Sequence, residues 1–136
     1  MKILLAYDAT SEGQKGLDLA VKEARAFNAE VIVFTSTMMD QKGHAFASNA
    51  IKDIEHKHSE AKKLFEDEGI ACATTIQAKG RQPAEDIVSY AEENNIDLVI
   101  IGVRIRSKVG KLLIGSTAQY VILKAPCPVL SFKAST

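Results

Sequence analysis

The sequence has no tryptophan, three prolines, two cysteines and no apolar run near the 18 or more residues a membrane-spanning helix needs. Each shortage excludes something. Two cysteines cannot staple a disulfide scaffold. Cys72 falls early in a strand-like run and Cys127 between two prolines, so the two are expected to lie far apart as free structural thiols. Few prolines, and eight glycines without a repeat, exclude collagen-like and low-complexity chains. The apolar opening from Met1 meets Asp8 too early to serve as a secretory signal, which makes a cytoplasmic protein with no membrane partner the expectation. Acidic residues are also missing from Leu98 to the end of the chain.

What is present is an ordinary globular composition, 46% hydrophobic and 25% charged, in 136 residues. That is material for a single domain over 1–136. The 17 acids and 17 cations cancel, but all the acids precede Leu98, whereas Arg104, Arg106, Lys108, Lys111, Lys124 and Lys133 follow it. Four of these cations crowd into Arg104 to Lys111. The cluster suits either an anionic small ligand or a solvated loop balanced by acids elsewhere. Extended nucleic-acid binding is disfavoured, because the chain is neutral and the loop has no interleaved aromatics.

Five apolar runs, Lys2 to Tyr7, Glu30 to Ser36, Ala71 to Gln77, Asp97 to Gly102 and Val129 to Lys133, alternate with helical patterns. Alternation of this kind predicts a parallel sheet with helices on both faces. Ser11-Glu12-Gly13-Gln14 reads as a capping box. Leu17, Ala20, Val21, Ala24 and Phe27 continue that helix to Asn28. A second helix runs from about Ala47 to Glu68, with Gly69 as its stop. A third starts at Pro83 and ends at Asn94-Asn95, and a fourth starts near Ser116, with a Ser-x-x-Gln pattern, and stops at Pro126. Ile3 to Ala6 and Leu98 to Ile101 are unbroken apolar runs, suited to central strands buried on both faces; Thr74-Thr75 and Ser131 suit edges. The first and fourth strands are therefore expected to be neighbours, with a ligand crevice between their carboxyl ends that receives Tyr7, Asp8 and Gly102.

Between the fourth strand and the fourth helix, Gly102 to Thr117 combines small residues, cations and a helix start, the makings of a phosphate cradle. The competing reading makes Gly102 a turn and Ser116 a simple N-cap. A Walker loop is excluded, since Ile105 and Leu112 stand where it needs glycine and a hydroxyl residue, and no Gly-x-Gly-x-x-Gly turn follows the first strand. A phospho-acceptor receiver is excluded as well, since Ile76-Gln77 replaces its strand-three acid. Catalytic candidates are thin. His56 and His58 point to different faces of their helix and His44 stands apart, so no shared metal is expected; Tyr7 and Tyr90 suit packing. At most, Asp8 with Mg²⁺ would support slow hydrolysis of a bound triphosphate.

The opening strand into Asp8, Pro83-Ala84-Glu85-Asp86-Ile87, Asp97-Leu98-Val99-Ile100-Ile101-Gly102, the Gly115-Ser116 step and Ala125-Pro126-Cys127-Pro128-Val129-Leu130 together resemble the universal stress protein family nearly end to end. The resemblance implies a Rossmann-like α/β fold, a five-stranded parallel sheet of order 3-2-1-4-5. It also implies a homodimer formed through the last strand, Val129 to Phe132, an unidentified protein partner, and ATP or a related adenine nucleotide, with or without Mg²⁺, as ligand. By matching position, Asp8 would face the adenosine, or else cap the Ala9 to Ser11 turn; Ser36 would lie beside the base through its backbone. Gly102, Gly115, Ser116 and Thr117 would line the phosphates, with Arg104 among the cations that offset their charge. Ile105 stands where nucleotide-binding members carry their second glycine. A β-branched residue there occupies space and resists positive φ. The alternative is thus a nucleotide-free dimeric interaction protein of the same fold.

Overall fold

A computed structural model describes residues 1–8, 13–37, 48–79 and 81–135. Its elements run β1 (Lys2–Ala6), α1 (Gly13–Phe27), β2 (Glu30–Ser36), α2 (Ser48–Asp67), β3 (Cys72–Gln77), α3 (Pro83–Glu93), β4 (Leu98–Lys108), β5 (Lys111–Ile114), α4 (Ser116–Lys124) and β6 (Val129–Ser135). The capping box at Ser11 and Glu12, the Ala9 to Ser11 turn, the start of the second helix at Ala47, and His44 lie outside the described residues.

The sheet is built by period-two alternation. Ile3, Leu5, Val31, Val33 and Ile100 face one side and pack on Leu17, Ala20 and Ala24 of α1 and Ala61 and Phe65 of α2. Leu4, Ile32, Phe34, Val99 and Ile101 face the other, against Ala84, Ile87, Val88 and Ala91 of α3 and Ala118 and Val121 of α4. Strands with apolar residues at every position are thus covered on both sides, as parallel sheets require. The order is β3-β2-β1-β4, with β6 parallel to β4 on its far side. Leu4 sits between Ile32 and Val99, so β1 and β4 are neighbours as their apolar runs predict.

Three helices end alike. Asn28, Gly69 and Asn95 take positive φ (52°, 75° and 53°). The next residue in each case, Ala29, Ile70 or Ile96, donates its N–H back to Ala24, Phe65 or Ala91. All three are buried apolar residues. This left-handed closure with an apolar anchor turns each helix directly into the connection leading to the next strand. Cys72 and Cys127 are free thiols.

The sheet has six strands where five were expected. The additional strand is β5, which pairs antiparallel with an extension of β4 from Ile105 to Lys108. The segment expected to be a loop is therefore a hairpin ribbon. Its cause is a second alternation, Val103, Ile105 against Arg104, Arg106, closed at Val109-Gly110, where both residues have positive φ (49° and 74°) as a two-residue type I′ turn demands.

Candidate functional site

The chain winds outward from β1 to β3, crosses back to β4 and continues to β6, so its connections leave opposite sides of the sheet between β1 and β4. Such a switch point opens a crevice at the carboxyl ends of the strands. A cavity of about 470 Å³ lies there, within the roughly 300–1,000 Å³ range of small-molecule sites. Asp8, Ser36, Gly102, Arg104, Gly115, Ser116 and Thr117 all line it.

Ile105 does not. On the ribbon, Arg104 and Arg106 face the cavity, while Ile105 packs on the α3/α4 side against the cluster that holds Ala118 and Val121. The expectation that its bulk competes with a ligand therefore gives way to a different geometry. The strand alternation that turns the two guanidinium groups inward turns the isoleucine away.

At the start of α4, Gly115 is the N-cap, its N–H bound to the Arg104 carbonyl at 2.9 Å, and as a glycine it offers no side chain to cap the helix. Ser116 is the first helical residue rather than the cap. Helix geometry leaves the first N–H groups without intrahelical partners, and the macrodipole adds partial positive charge there. The two glycines differ. A methyl on Gly102 would come within 3.1 Å of the Ala134 Cβ and 3.2 Å of the Phe132 ring, so packing of β6 alone explains that glycine. Gly115 has φ −59°, and a methyl there would meet nothing closer than 3.9 Å. Neither backbone nor packing needs glycine at 115.

Across β1, the cavity is edged by hydroxyls. The Thr35 hydroxyl donates to the Tyr7 carbonyl at 2.5 Å and lies 2.7 Å from His58 Nε2. With its proton so used, Thr35 accepts from Nε2–H, leaving Nδ1 bare, buried and without a hydrogen-bond partner among the described residues. Burial lowers the His58 pKa below the usual imidazole value. It also raises that of the Tyr7 phenol, helped by the negative charges of Asp8 and Glu60. The Ser36 hydroxyl donates at 2.6 Å to Asp86, a fully buried carboxylate that Arg81 pairs at 3.0 Å from its Nε while reaching Ser89 at 3.3 Å. Arg104 Nη2 stands 3.7 Å from Asp8 across the mouth, both side chains half exposed.

Sequence reasoning missed Asp86, Arg81, Thr35 and the burial of His58. Asp86 lies among Ala84, Ile87 and Val88 on the buried side of α3, a placement that helical spacing does signal. Among the described residues no group of three or more His, Cys, Asp or Glu side chains is placed to hold a metal ion. His56 pairs instead with Glu60 on the surface.

A doubly wound α/β sheet, with a cavity at its switch point and the start of α4 on its lining, defines a Rossmann-like α/β protein with a candidate ligand site. The model of the Universal stress protein family matches residues 1–133, and the chain belongs to that family. It is 34% identical over 134 residues to a universal stress protein of Thermus aquaticus, covering 94% of this chain and 95% of the relative. The structure of a universal stress protein from Archaeoglobus fulgidus superposes with a TM-score of 0.81 at 30% identity, over 98% of this chain and 93% of that one. Another from A. fulgidus, solved in complex with dAMP, gives 0.75 at 27% identity, over 98% of both chains.

Proposed function

We propose that this chain is a regulatory module that binds an adenine nucleotide, ATP in the first instance, in the cavity between β1 and β4. The observation that carries the reading is the geometry at Gly115. An uncapped helix start, two hydroxyl residues and a glycine that packing does not require meet beside Arg104 and Arg106. Oxyanions of a phosphate chain match such a start. The dAMP complex of the A. fulgidus relative supports the same class of ligand. Lys108 and Lys111, further along the ribbon, supply charge for the outer phosphates. Asp8, the one carboxylate lining the cavity among the described residues, is the protein group that would ligate a Mg²⁺ ion held by a triphosphate, in exchange for its contact with Arg104. The nucleotide-free alternative rested on Ile105, which stands off the cavity.

The reading includes a homodimer through β6. Among the described residues β6 pairs only β4, and Val129, Leu130 and Phe132 are partly exposed along it. An unpaired edge of this composition favours pairing with a second copy. Acid extraction of purified protein followed by chromatography tests the nucleotide, with release of ATP, ADP or AMP expected. No nucleotide, together with no melting shift in millimolar ATP and Mg²⁺, would sink the reading. Sedimentation tests the dimer, with a mass twice 14.8 kDa expected.

A further inference from the structure

The hairpin formed by β5 and the end of β4 leaves the body of the sheet. β6 accompanies β4 as far as Arg104, opposite Ser135; from Ile105 to Lys108, β5 is the only strand paired with it among the described residues. The ribbon thus runs on for about 13 Å past the end of β6 before it turns at Val109-Gly110.

Residues opposite one another across the ribbon share a face. Ile105 with Ile114 and Ser107 with Leu112 make a face without charge, while Arg106 with Leu113 and Lys108 with Lys111 make the face toward the cavity. Along the uncharged face exposure rises outward, from Ile114 at 39% through Leu112 at 79% to Val109 at 93% in the turn. Aliphatic side chains placed for packing would be buried instead. Val109 also holds φ 49°, which asparagine or glycine would take at lower cost. Its side chain serves neither the turn nor the core, and exposed apolar surface of this kind marks a contact with something else.

The charge around the tip says what that is. Arg106, Lys108 and Lys111 are exposed, no ion pair holds them among the described residues, and from Leu98 on the chain has no acid. The complementary surface is therefore anionic. A convex aliphatic tip offers a peptide no groove and a nucleic-acid base no ring to stack on, and a second ribbon would bring the same positive charge. A bilayer with acidic headgroups meets both requirements, because it takes up aliphatic side chains beneath a negative surface.

We propose that the hairpin tip, Val109 and Leu112 flanked by Arg106, Lys108 and Lys111, docks the protein peripherally on an anionic membrane. Among the described residues no helix is long and apolar enough to cross a membrane. The expectation of no membrane partner rests on the lack of a span and of a secretory signal, and a peripheral contact needs neither. The inference is independent of the proposed nucleotide, but ATP would share these cations, so the test is made without added nucleotide.

Flotation of the full chain with lipid vesicles is that test. Phosphatidylcholine vesicles containing phosphatidylserine should carry the protein up the gradient at physiological salt, and vesicles of phosphatidylcholine alone should not. Lys108→Gln and Lys111→Gln should each weaken binding about fivefold, the scale of one cation at such a surface. Val109→Asn should weaken it about tenfold by removing an inserted aliphatic side chain. That change suits the turn, so its melting curve separates lost docking from lost fold. The chain has no tryptophan, which lets Val109→Trp report the tip alone, its emission shifting to the blue on the mixed vesicles. No flotation with either vesicle, equal flotation with both, flotation undiminished in Val109→Asn, or an unshifted Val109→Trp spectrum would each overturn the proposal. So would a dimer that Val109→Asn reduces to 14.8 kDa in sedimentation, since the tip would then belong to a second copy.

Discussion

Ile105 separates two accounts of the cavity, and its side chain lies on the face of β4 that belongs to the α3/α4 core. Replacing it with glycine should therefore lower stability by about 1–2 kcal/mol, through lost burial and added chain freedom in a strand. Affinity for adenine nucleotide should stay within about twofold; a large gain on titration would return the residue to the ligand. Gly115→Ala should do the opposite. With 3.9 Å of clearance the methyl meets no clash, so stability should fall only by the weaker N-cap preference of alanine, about 1 kcal/mol or less, while the new methyl obstructs phosphate approach and binding falls severalfold. His58 yields a prediction with a defined sign. Its pKa is lowered on folding, so at mildly acidic pH the unfolded chain binds the extra proton and the folded chain resists it. Stability should fall as pH drops below about 6.5, the unfolded value. His58→Gln, which still donates to Thr35, should flatten that fall in urea titrations at pH 5 and 7. These residue-scale facts were only partly legible beforehand. Position along the chain located Asp8, Ser36 and the Gly115-Ser116 step, but the Asp86 and His58 contacts join residues 50 and 23 positions apart, and no local spacing encodes such pairs.

At the scale of elements, helix ends were easy to read and the ribbon was not. Asn28, Gly69 and Asn94-Asn95 announce left-handed closures in their residue types, and each closure is found at or beside them. β5 gave no such notice. Its turn is Val109-Gly110 rather than the Asn-Gly that marks a type I′ hairpin, and its cations read as a solvated loop. A β-branched residue at φ 49° is strained, by roughly 1–3 kcal/mol for such positions. Val109 is also 93% exposed, so it recovers little by burial. Val109→Asn should accordingly stabilise the protein by about 1 kcal/mol, seen as a higher melting temperature with unchanged nucleotide affinity. A lower one would mean that the tip contributes contacts of its own.

For the whole molecule, the parallel sheet, the β1–β4 neighbourhood and helices on both faces followed from the alternation of apolar runs with helical patterns, because a strand covered on two sides has little freedom to be anything but apolar; the full strand order came from the family resemblance. Charge is organised at the same scale. The last 39 residues, from Leu98 on, carry no acid, and their cations Arg104 and Arg106 gather at the mouth of the cavity. Binding should consequently weaken as salt is added, and more steeply for ATP than for AMP, since the additional phosphates meet the same screened cations. Equal slopes would place the outer phosphates in solvent.

The alternating ribbon also limits how this segment can change in length. A phosphate-gripping loop made of irregular backbone absorbs an insertion by bulging, but here orientation is a matter of odd and even. Gaining or losing one residue between Gly102 and Val109 would exchange guanidinium for aliphatic surface all along the cavity wall, whereas gaining or losing two would restore the pattern. Parity, more than the identity of any one residue, is what natural variants of this segment must respect.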